Sequence, residues 1–98
     1  MTTFVQLIDF ETDRASEMSA LMDEWLAATE GKRTATSEML MHDRENARHY
    51  VEMVEFPSYE EAMRNNELPE TQAFAERMRS LCSSGPSFIN LDLERREN

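Results

Sequence analysis

The sequence lacks the features that mark secreted, membrane-spanning and nucleic-acid-binding proteins. Its only cysteine, Cys82, has no partner for a disulfide within the chain. No apolar run opens the sequence, and no stretch approaches the ~20 apolar residues that cross a bilayer. Ten basic residues stand against twenty acidic ones, which gives a net charge of -10. Because nucleic acids and anionic membranes are bound through basic patches, we expect neither as a partner, and we expect a cytoplasmic protein.

Glycine and proline are also scarce. Two glycines and three prolines interrupt the 98 residues, and neither a repeat nor a linker is visible. Hydrophobic residues make up 40% of the chain and charged residues 31%, which is typical of a folded domain. We therefore expect a single domain over residues 1–98. A domain this small keeps a large surface for its volume, so burying an apolar face against a second copy would stabilise it.

The first third of the chain predicts a strand followed by a helix. Residues 3–11 are rich in β-branched and aromatic side chains, with apolar residues on both alternating faces. Thr12 and Asp13 suit a helix start, and Gly31 suits the position after its end. Between them runs an apolar stripe at helical spacing, formed by Met18, Leu21, Met22, Trp25 and Thr29.

A strand-to-helix junction, HYVEMVEFPSYEE, organises the middle of the chain. Residues 35–43 and 49–56 are two predicted strands joined by a short polar loop, which indicates a hairpin. Pro57 ends the second of these strands because it has no N–H to donate to a neighbour. Ser58 and Glu61 have the spacing of a capping box, which predicts that a helix begins there.

The last third predicts a further helical piece and a final strand. Pro69 suits the first turn of a helix, where its missing N–H costs nothing. Gly85 and Pro86 are expected to end this segment, and residues 87–94 alternate as a strand. The buried stripe of the helix is predicted to be Phe74, Met78, Leu81 and Cys82.

The order β, α, β, β, α (broken), β predicts an α+β domain of the ferredoxin-like, split βαβ type. Such a domain has a four-stranded antiparallel sheet with helices on one face, and its first and third strands lie in the centre. The other face is left without a cover. An apolar patch of that size is too large to leave in water, so we expect a homodimer formed through the open sheet face. The candidates for the open face are Phe4, Ile8, Phe10, Tyr50, Val54, Phe56 and Phe88.

The stretch RHYVEMVEFPSYEEAMRNNELPETQAFAERM resembles the centre of the dimeric α+β barrel proteins, the group that includes the antibiotic-biosynthesis-monooxygenase-like domains. In those proteins the third strand ends in an aromatic residue, a capping serine follows, and a phenylalanine of the next helix packs back on the sheet. Phe56, Ser58, Glu61 and Phe74 match these features. FPSYEEAM, LPETQAFAERM and the terminal LDL are similar to a bacterial subgroup with no assigned substrate.

The resemblance implies a homodimer with a pocket between its helices and its sheet. The activities of the family include cofactor-free oxygenation of aromatic polyketides, haem degradation, peroxidase-like haem chemistry and isomerisation of small ring lactones. Haem-degrading members ligate iron through a histidine on the helices after the third strand, and no histidine lies between Pro57 and Asn98. The resemblance therefore points to chemistry without a cofactor on a hydrophobic or aromatic small molecule.

Side chains that can move protons cluster around the predicted hairpin. His42 and His49 flank it and Tyr50 follows, so these three are the candidate catalytic residues. The alternative is that the histidines face solvent at the ends of the hairpin and Tyr50 caps the edge of the core. The two histidines with Asp43 or Glu52 lack the ligand spacing of a metal motif, so no metal site is predicted.

Four residues are candidates for binding a hydrophobic ligand: Trp25, Met22, Met53 and Asn90. A tryptophan can stack on an aromatic compound, and flexible thioethers can repack around varied ligands. The alternative is that the tryptophan and the methionines are ordinary core residues.

Two functions are open at this point. The first is an enzyme, a cofactor-independent monooxygenase-like protein acting on a hydrophobic or aromatic small molecule. The second is a non-catalytic dimeric domain that binds a ligand or serves a structural role. A closed cavity of ~300 Å³ or more, with His42, His49, Tyr50 or Asn90 pointing into it, would favour the first function. A packed interior with both histidines in solvent would favour the second.

Overall fold

The computed structural model describes residues 1–98 and contains four strands and three helices. In chain order they are β1 (Phe4–Glu11), α1 (Ala15–Ala28), β2 (Ser37–His42), β3 (His49–Phe56), α2 (Tyr59–Asn66), α3 (Pro69–Leu81) and β4 (Ser84–Asp92). The strands lie in the order β2-β3-β1-β4, and each neighbouring pair is antiparallel. The ferredoxin-like fold and the central position of β1 and β3 are therefore confirmed. None of the three helices is long and apolar enough to cross a membrane.

The sheet face that carries the phenylalanines packs against the helices. In the central strand pair, Phe4 lies opposite Phe56 and Phe10 lies opposite Tyr50. The buried cluster joins this face to residues of all three helices, including Met18 of α1 and Met78 of α3. The prediction that Phe4, Ile8, Phe10, Tyr50, Val54, Phe56 and Phe88 form the open face is wrong. The alternation of side chains along the strands does place these residues on one common face. Because both faces carry apolar residues, however, the alternation does not indicate which face the helices cover.

The open face of the sheet carries a second apolar surface. One row runs across all four strands, from Met39 through Met53 and Leu7 to Ile89, because these residues are direct neighbours in the strand pairs. We call the apolar residues of this face the open-face patch. It consists of Val5, Leu7, Met39, Met41, Val51, Met53, Ile89 and Leu91. The members on the outer strands β2 and β4 are 40–48% exposed.

The final strand begins earlier than predicted. Gly85 and Pro86 lie inside β4 and do not end the preceding helix, which stops at Leu81. Gly85 has a φ of 82°, and a Cβ at this position would lie 2.8 Å from the carbonyl oxygen of Asp9. The glycine therefore allows β4 to approach β1 at the point where their register shifts, between Asp9 and Glu11.

Of the three predicted helix starts, α2 and α3 begin as expected, whereas the cap position of α1 is Arg14 and not Thr12 or Asp13. Thr12 is buried, and its hydroxyl accepts from the N–H of Arg14 and donates to the carbonyl of Leu81, so it ties the start of α1 to the end of α3. Ser58 caps α2 as predicted, because its hydroxyl accepts from the N–H of Glu61 at 3.2 Å. The side chain of Glu61 pairs with Arg64 rather than reaching back to the cap.

Replacing the capping serine should destabilise the fold measurably. Ser58→Ala leaves a first-turn N–H of α2 without its partner at a buried position, which typically costs about 1 kcal/mol. Urea unfolding followed by circular dichroism measures this loss. Ser19→Ala, at an exposed position inside α1, is the matched control and should change stability by less than ~0.5 kcal/mol. Equal stability of the two variants would contradict the capping role.

Candidate functional site: a cavity between the helices and the sheet

A cavity of about 490 Å³ lies between the covered face of the sheet and the helices. Met22 and Trp25 of α1 and Phe74 and Met78 of α3 form its helical wall. Ile8, Val54, Phe56 and Phe88 contribute apolar side chains from the sheet. This volume is in the range of sites that hold small organic molecules. The interior is therefore not completely filled by side chains, as a purely structural core would be.

The helical wall is held in place by contacts of Trp25. Its indole N–H donates to the hydroxyl of Thr71 at 3.0 Å, and its ring lies 5.7 Å from that of Phe74. The guanidinium of Arg33 lies over the Trp25 ring, 5.7 Å from its centroid. Arg33 also donates to the carbonyl of Leu26, so the cation is fixed at the end of α1. These contacts fix the orientation of an aromatic surface that borders the cavity.

Amide side chains supply part of the polar lining. Gln6 of β1 donates to the side-chain oxygen of Asn90 on β4 at 3.0 Å, which leaves the NH₂ group of Asn90 without a partner in the chain. Asn65 is buried, and its side-chain oxygen accepts from the N–H of Thr34. The cavity thus offers amide donors beside its apolar walls.

Glu52 is the most unusual residue of the lining. It lies in the middle of β3 between Ile8 of β1 and Leu40 of β2, and it is only 5% exposed. No side chain or backbone group of the protein donates a hydrogen bond to its carboxyl group, which borders the cavity. Burial raises the pKa of Glu52 to about 7, and the charge of Glu38 adds to the shift. A carboxyl group that titrates near neutral pH in an apolar cavity is suited to accept or donate a proton.

Glu38 is the second carboxyl group of the cavity. It lies on β2 opposite Val54, diagonally across from Glu52 on the same face of the sheet. Burial raises its pKa, while the charge of Arg33 lowers it. The two carboxyl groups therefore sit in different environments, with Glu52 the more deeply buried.

Three of the four predicted ligand-binding residues line the cavity. These are Met22, Trp25 and Asn90. Met53 does not, because it lies in the row of the open face between Met39 and Leu7. Neighbouring residues of a strand point to opposite faces, so Met53 and Glu52 cannot both border the cavity.

The predicted catalytic residues do not reach the cavity of the single chain. His42 lies at the exposed end of β2, where its ring nitrogen contacts the carbonyl of Ala47 and its ring stacks on Tyr50 at 4.4 Å. Tyr50 in turn stacks on Phe10 at 5.7 Å, at the end of the core. His42 and Tyr50 therefore do not line this cavity. They sit at the hairpin end of the sheet, whereas the cavity lies over its middle.

His49 forms a separate cluster on the open face. One ring nitrogen lies 2.7 Å from a carboxylate oxygen of Asp43, and the other lies 2.8 Å from Asp9. Hydrogen bonds to Asp43 and then Asp9 raise the pKa of His49, and the hydrogen bond to His49 lowers the pKa of Asp43. A histidine held between two carboxylates favours its charged form, so it is a poor general base. Neither this cluster nor any other group of three or more His, Cys, Asp or Glu side chains has an arrangement that could hold a metal ion.

Glu52 is not among the candidate site residues predicted from the sequence. The available signal was its position in the row Tyr50, Glu52, Val54, Phe56, in which the glutamate alternates with the otherwise apolar residues of one strand face. A carboxyl group at the centre of such a row must either be buried or face a cavity. That signal becomes usable only when the helices are known to cover this face.

The titration of Glu52 should make stability depend on pH. Because its pKa is raised from 4.5 to about 7 in the folded chain, the fold binds a proton that the unfolded chain releases, and stability falls as pH rises through this interval. Glu52→Gln removes the charge. Below pH 4.5 the free energy of unfolding of the variant should follow pH in the same way as that of the natural chain. Above pH 7 the variant should have gained about 3 kcal/mol relative to the natural chain, as measured by urea unfolding.

Glu76→Gln is the matched control for this measurement, because Glu76 is an exposed glutamate of α3. The difference in free energy of unfolding between Glu76→Gln and the natural chain should not change with pH. A flat difference for Glu52→Gln as well would show that Glu52 is not held in a protonated state by burial.

Comparison with solved structures places the chain among known folds. It superimposes on a candidate antibiotic biosynthesis monooxygenase from Caulobacter crescentus CB15 with a TM-score of 0.83, at 11% identity, over 96% of this chain and 92% of that chain. Rv0793 from Mycobacterium tuberculosis gives a TM-score of 0.80 at 13% identity over 98% and 99% of the two chains. SnoaB, a cofactor-independent oxygenase from Streptomyces nogalater, gives 0.77 at 13% identity over 100% and 97%.

No family model and no curated protein matches the sequence. Identities this low establish a shared fold and leave the activity open. The resemblance inferred from the sequence is confirmed at that level. The chain has the four-stranded, ferredoxin-like α+β fold of the antibiotic-biosynthesis-monooxygenase-like proteins.

Proposed function

We propose that the protein is a homodimeric enzyme that binds a hydrophobic, aromatic small molecule and oxygenates it without a cofactor. The observation that carries this proposal is the cavity of about 490 Å³, which has mainly apolar walls and one buried carboxyl group that forms no hydrogen bond within the chain. A cavity of this kind both holds an apolar compound and supplies a group that can exchange a proton with it.

The walls of the cavity support an aromatic ligand. Trp25 and Phe74 offer ring faces, and Met22 adds a flexible thioether beside them. The free NH₂ group of Asn90 can donate a hydrogen bond to a carbonyl or hydroxyl oxygen of the ligand. We assign the apolar body of the ligand to the helical wall and its polar group to the sheet.

Glu52 is the proposed general base. Oxygenation without a cofactor requires an electron-rich substrate, which forms when a weakly acidic C–H group that is conjugated with a carbonyl loses its proton. The ionised carboxylate of Glu52 takes that proton, and the resulting carbanion reduces O₂. For a diaryl methylene group, the CH₂ becomes C=O and the second oxygen atom leaves as water, so one O₂ is consumed per substrate. A pKa of about 7 suits this role at neutral pH.

The open-face patch supports the homodimer. Its exposed members are apolar, and they lie on the sheet face that no helix covers. Only 17 of 98 residues are buried in the single chain, so a second buried layer would add substantially to the core. Packing of two such sheets face to face buries both patches at once. A single free cysteine fits the cytoplasmic location that we propose for the dimer.

Two neighbouring residues of β4 test the dimer. Ile89 and Phe88 are both 48% exposed, but Ile89 belongs to the open-face patch and Phe88 lines the cavity on the other face. We expect the natural chain and Phe88→Lys to sediment as dimers at micromolar concentration, and Ile89→Lys to sediment as a monomer, because a lysine in an apolar interface must lose its hydration. A monomeric natural chain, or equal behaviour of the two variants, would contradict this interface.

Oxygen uptake tests the enzymatic part of the proposal. Anthrone is a suitable probe because it is aromatic, carries a CH₂ between two rings that its carbonyl acidifies by conjugation through those rings, and gives anthraquinone and water when it consumes O₂. We expect the protein to accelerate oxygen consumption above the uncatalysed rate, and Glu52→Gln to lower this acceleration by ~100-fold, which is typical for loss of a general base. Glu76→Gln should retain full activity.

Binding without oxygen uptake would favour the second function, a non-catalytic ligand-binding domain. Trp25 is the only tryptophan of the chain and lines the cavity, so its indole N–H signal in NMR spectra reports binding separately from activity. A shift of that signal by anthrone with no oxygen consumption would therefore overturn the oxygenase proposal.

A further inference from the structure

The cavity contains negative groups without positive ones. Its lining includes the carboxyl groups of Glu52 and Glu38, and none of the lining residues is a lysine, an arginine or a histidine. Arg33 influences Glu38 but forms no ion pair with it, because its guanidinium donates to Leu26 and Thr29 at the end of α1. Arg33 therefore compensates part of the charge of Glu38, whereas no cation of the protein acts on Glu52.

The position of Glu52 adds an independent indication of a ligand. A glutamate residue that is 95% buried normally has hydrogen-bond donors or a cation beside its carboxyl group, because little water reaches that group. Glu52 has neither within the chain, and its carboxyl group borders the open space of the cavity. A ligand that brings a donor into this space would supply the missing partner.

The surrounding groups favour a positively charged donor over a neutral one. Glu38 and Glu52 are diagonal neighbours on one sheet face, so a cation between them contacts both carboxylates. Trp25 and Phe74 contribute aromatic rings to the helical wall, and aromatic rings attract cations. The net charge of -10 also attracts cations and repels anions at a distance.

We propose that the cavity selects its ligand by charge: it binds an aromatic compound that carries a protonated amine, held between Glu52 and Glu38, and it excludes carboxylates and other anions. This inference rests on the proposed function, since it names the class of molecule that occupies the same cavity. The aromatic body lies against the helical wall of Trp25 and Phe74. The ammonium group donates to Glu38 and to one carboxylate oxygen of Glu52, so the other oxygen of Glu52 stays free to accept the substrate proton.

Three matched probes test this selection. 2-Naphthylmethylamine, 2-naphthylmethanol and 2-naphthoate share one aromatic body and carry a cation, a neutral hydroxyl and an anion at neutral pH. Isothermal titration calorimetry with the natural chain at pH 7.5 gives the affinities, and the indole signal of Trp25 in NMR spectra shows that binding takes place in the cavity. We expect the amine to bind at least ~10-fold more tightly than the alcohol, and the carboxylate at least ~10-fold more weakly.

Two variants assign the selection to particular residues. In Glu52→Gln the amine and the alcohol should bind within ~3-fold of each other, with the affinity for the alcohol unchanged, because the amide keeps the shape of the side chain but loses its charge. Glu38→Gln should reduce the preference for the amine less, since Glu38 is the more exposed of the pair. Glu76→Gln should keep the full preference.

Proton release on binding tests the same selection with the natural chain alone. Near pH 7 the carboxyl group of Glu52 is partly protonated, so a bound ammonium that favours the ionised form should release up to about one proton per ligand. Calorimetry in buffers of different ionisation enthalpy measures this release. The alcohol, which brings no charge, should release much less.

The outcomes separate this inference from the function on which it rests. Equal affinity for the three probes, tighter binding of 2-naphthoate, or an amine preference that survives in Glu52→Gln would overturn charge selection while leaving ligand binding intact. If none of the probes shifts the indole signal of Trp25, the cavity does not bind small aromatic molecules, and the proposed function fails together with the inference.

Discussion

The sheet has apolar side chains on both faces, and its helices cover only one of them. This constraint determines most of the structure. The phenylalanine-rich face of β1 and β3 packs against α1 and α3, which creates both the core and the cavity. The methionine-rich face is left over, and its exposed residues supply the surface for a second copy. The site and the interface are thus the two faces of the same four strands.

The cavity is formed because the helices do not fill all the space above the sheet. Trp25 is held by Thr71, Phe74 and Arg33, so it forms a rigid wall and does not collapse into the opening. Glu52 faces that opening from the centre of β3, where a hydrophobic residue would pack more favourably. A buried acid without a partner lowers the stability of the fold, and such groups are concentrated at functional sites. The energetic cost and the proposed chemistry therefore come from the same side chain.

The sequence was most informative where local patterns decide the structure. The capping role of Ser58, the strand from His49 to Phe56 and the helical stripe with Met18 and Trp25 all follow from spacing and residue type. It was least informative about side chains whose role depends on distant neighbours. His49 looked like a general base, but it lies between Asp9, forty residues away, and Asp43. Met53 looked like a pocket residue, but it lies on the other face of the sheet.

The sequence by itself determined the order of the elements, their approximate bounds, the division of each strand into two faces and the ferredoxin-like fold, because these depend on periodicity and capping within short segments. Only the tertiary structure decided which face the helices cover. Both faces are apolar, so their hydrophobicity alone does not distinguish them, and the choice depends on how α1 and α3 pack on the sheet. That one decision places Glu52 in a cavity, and it leaves Met39, Met41 and Ile89 exposed on the open face.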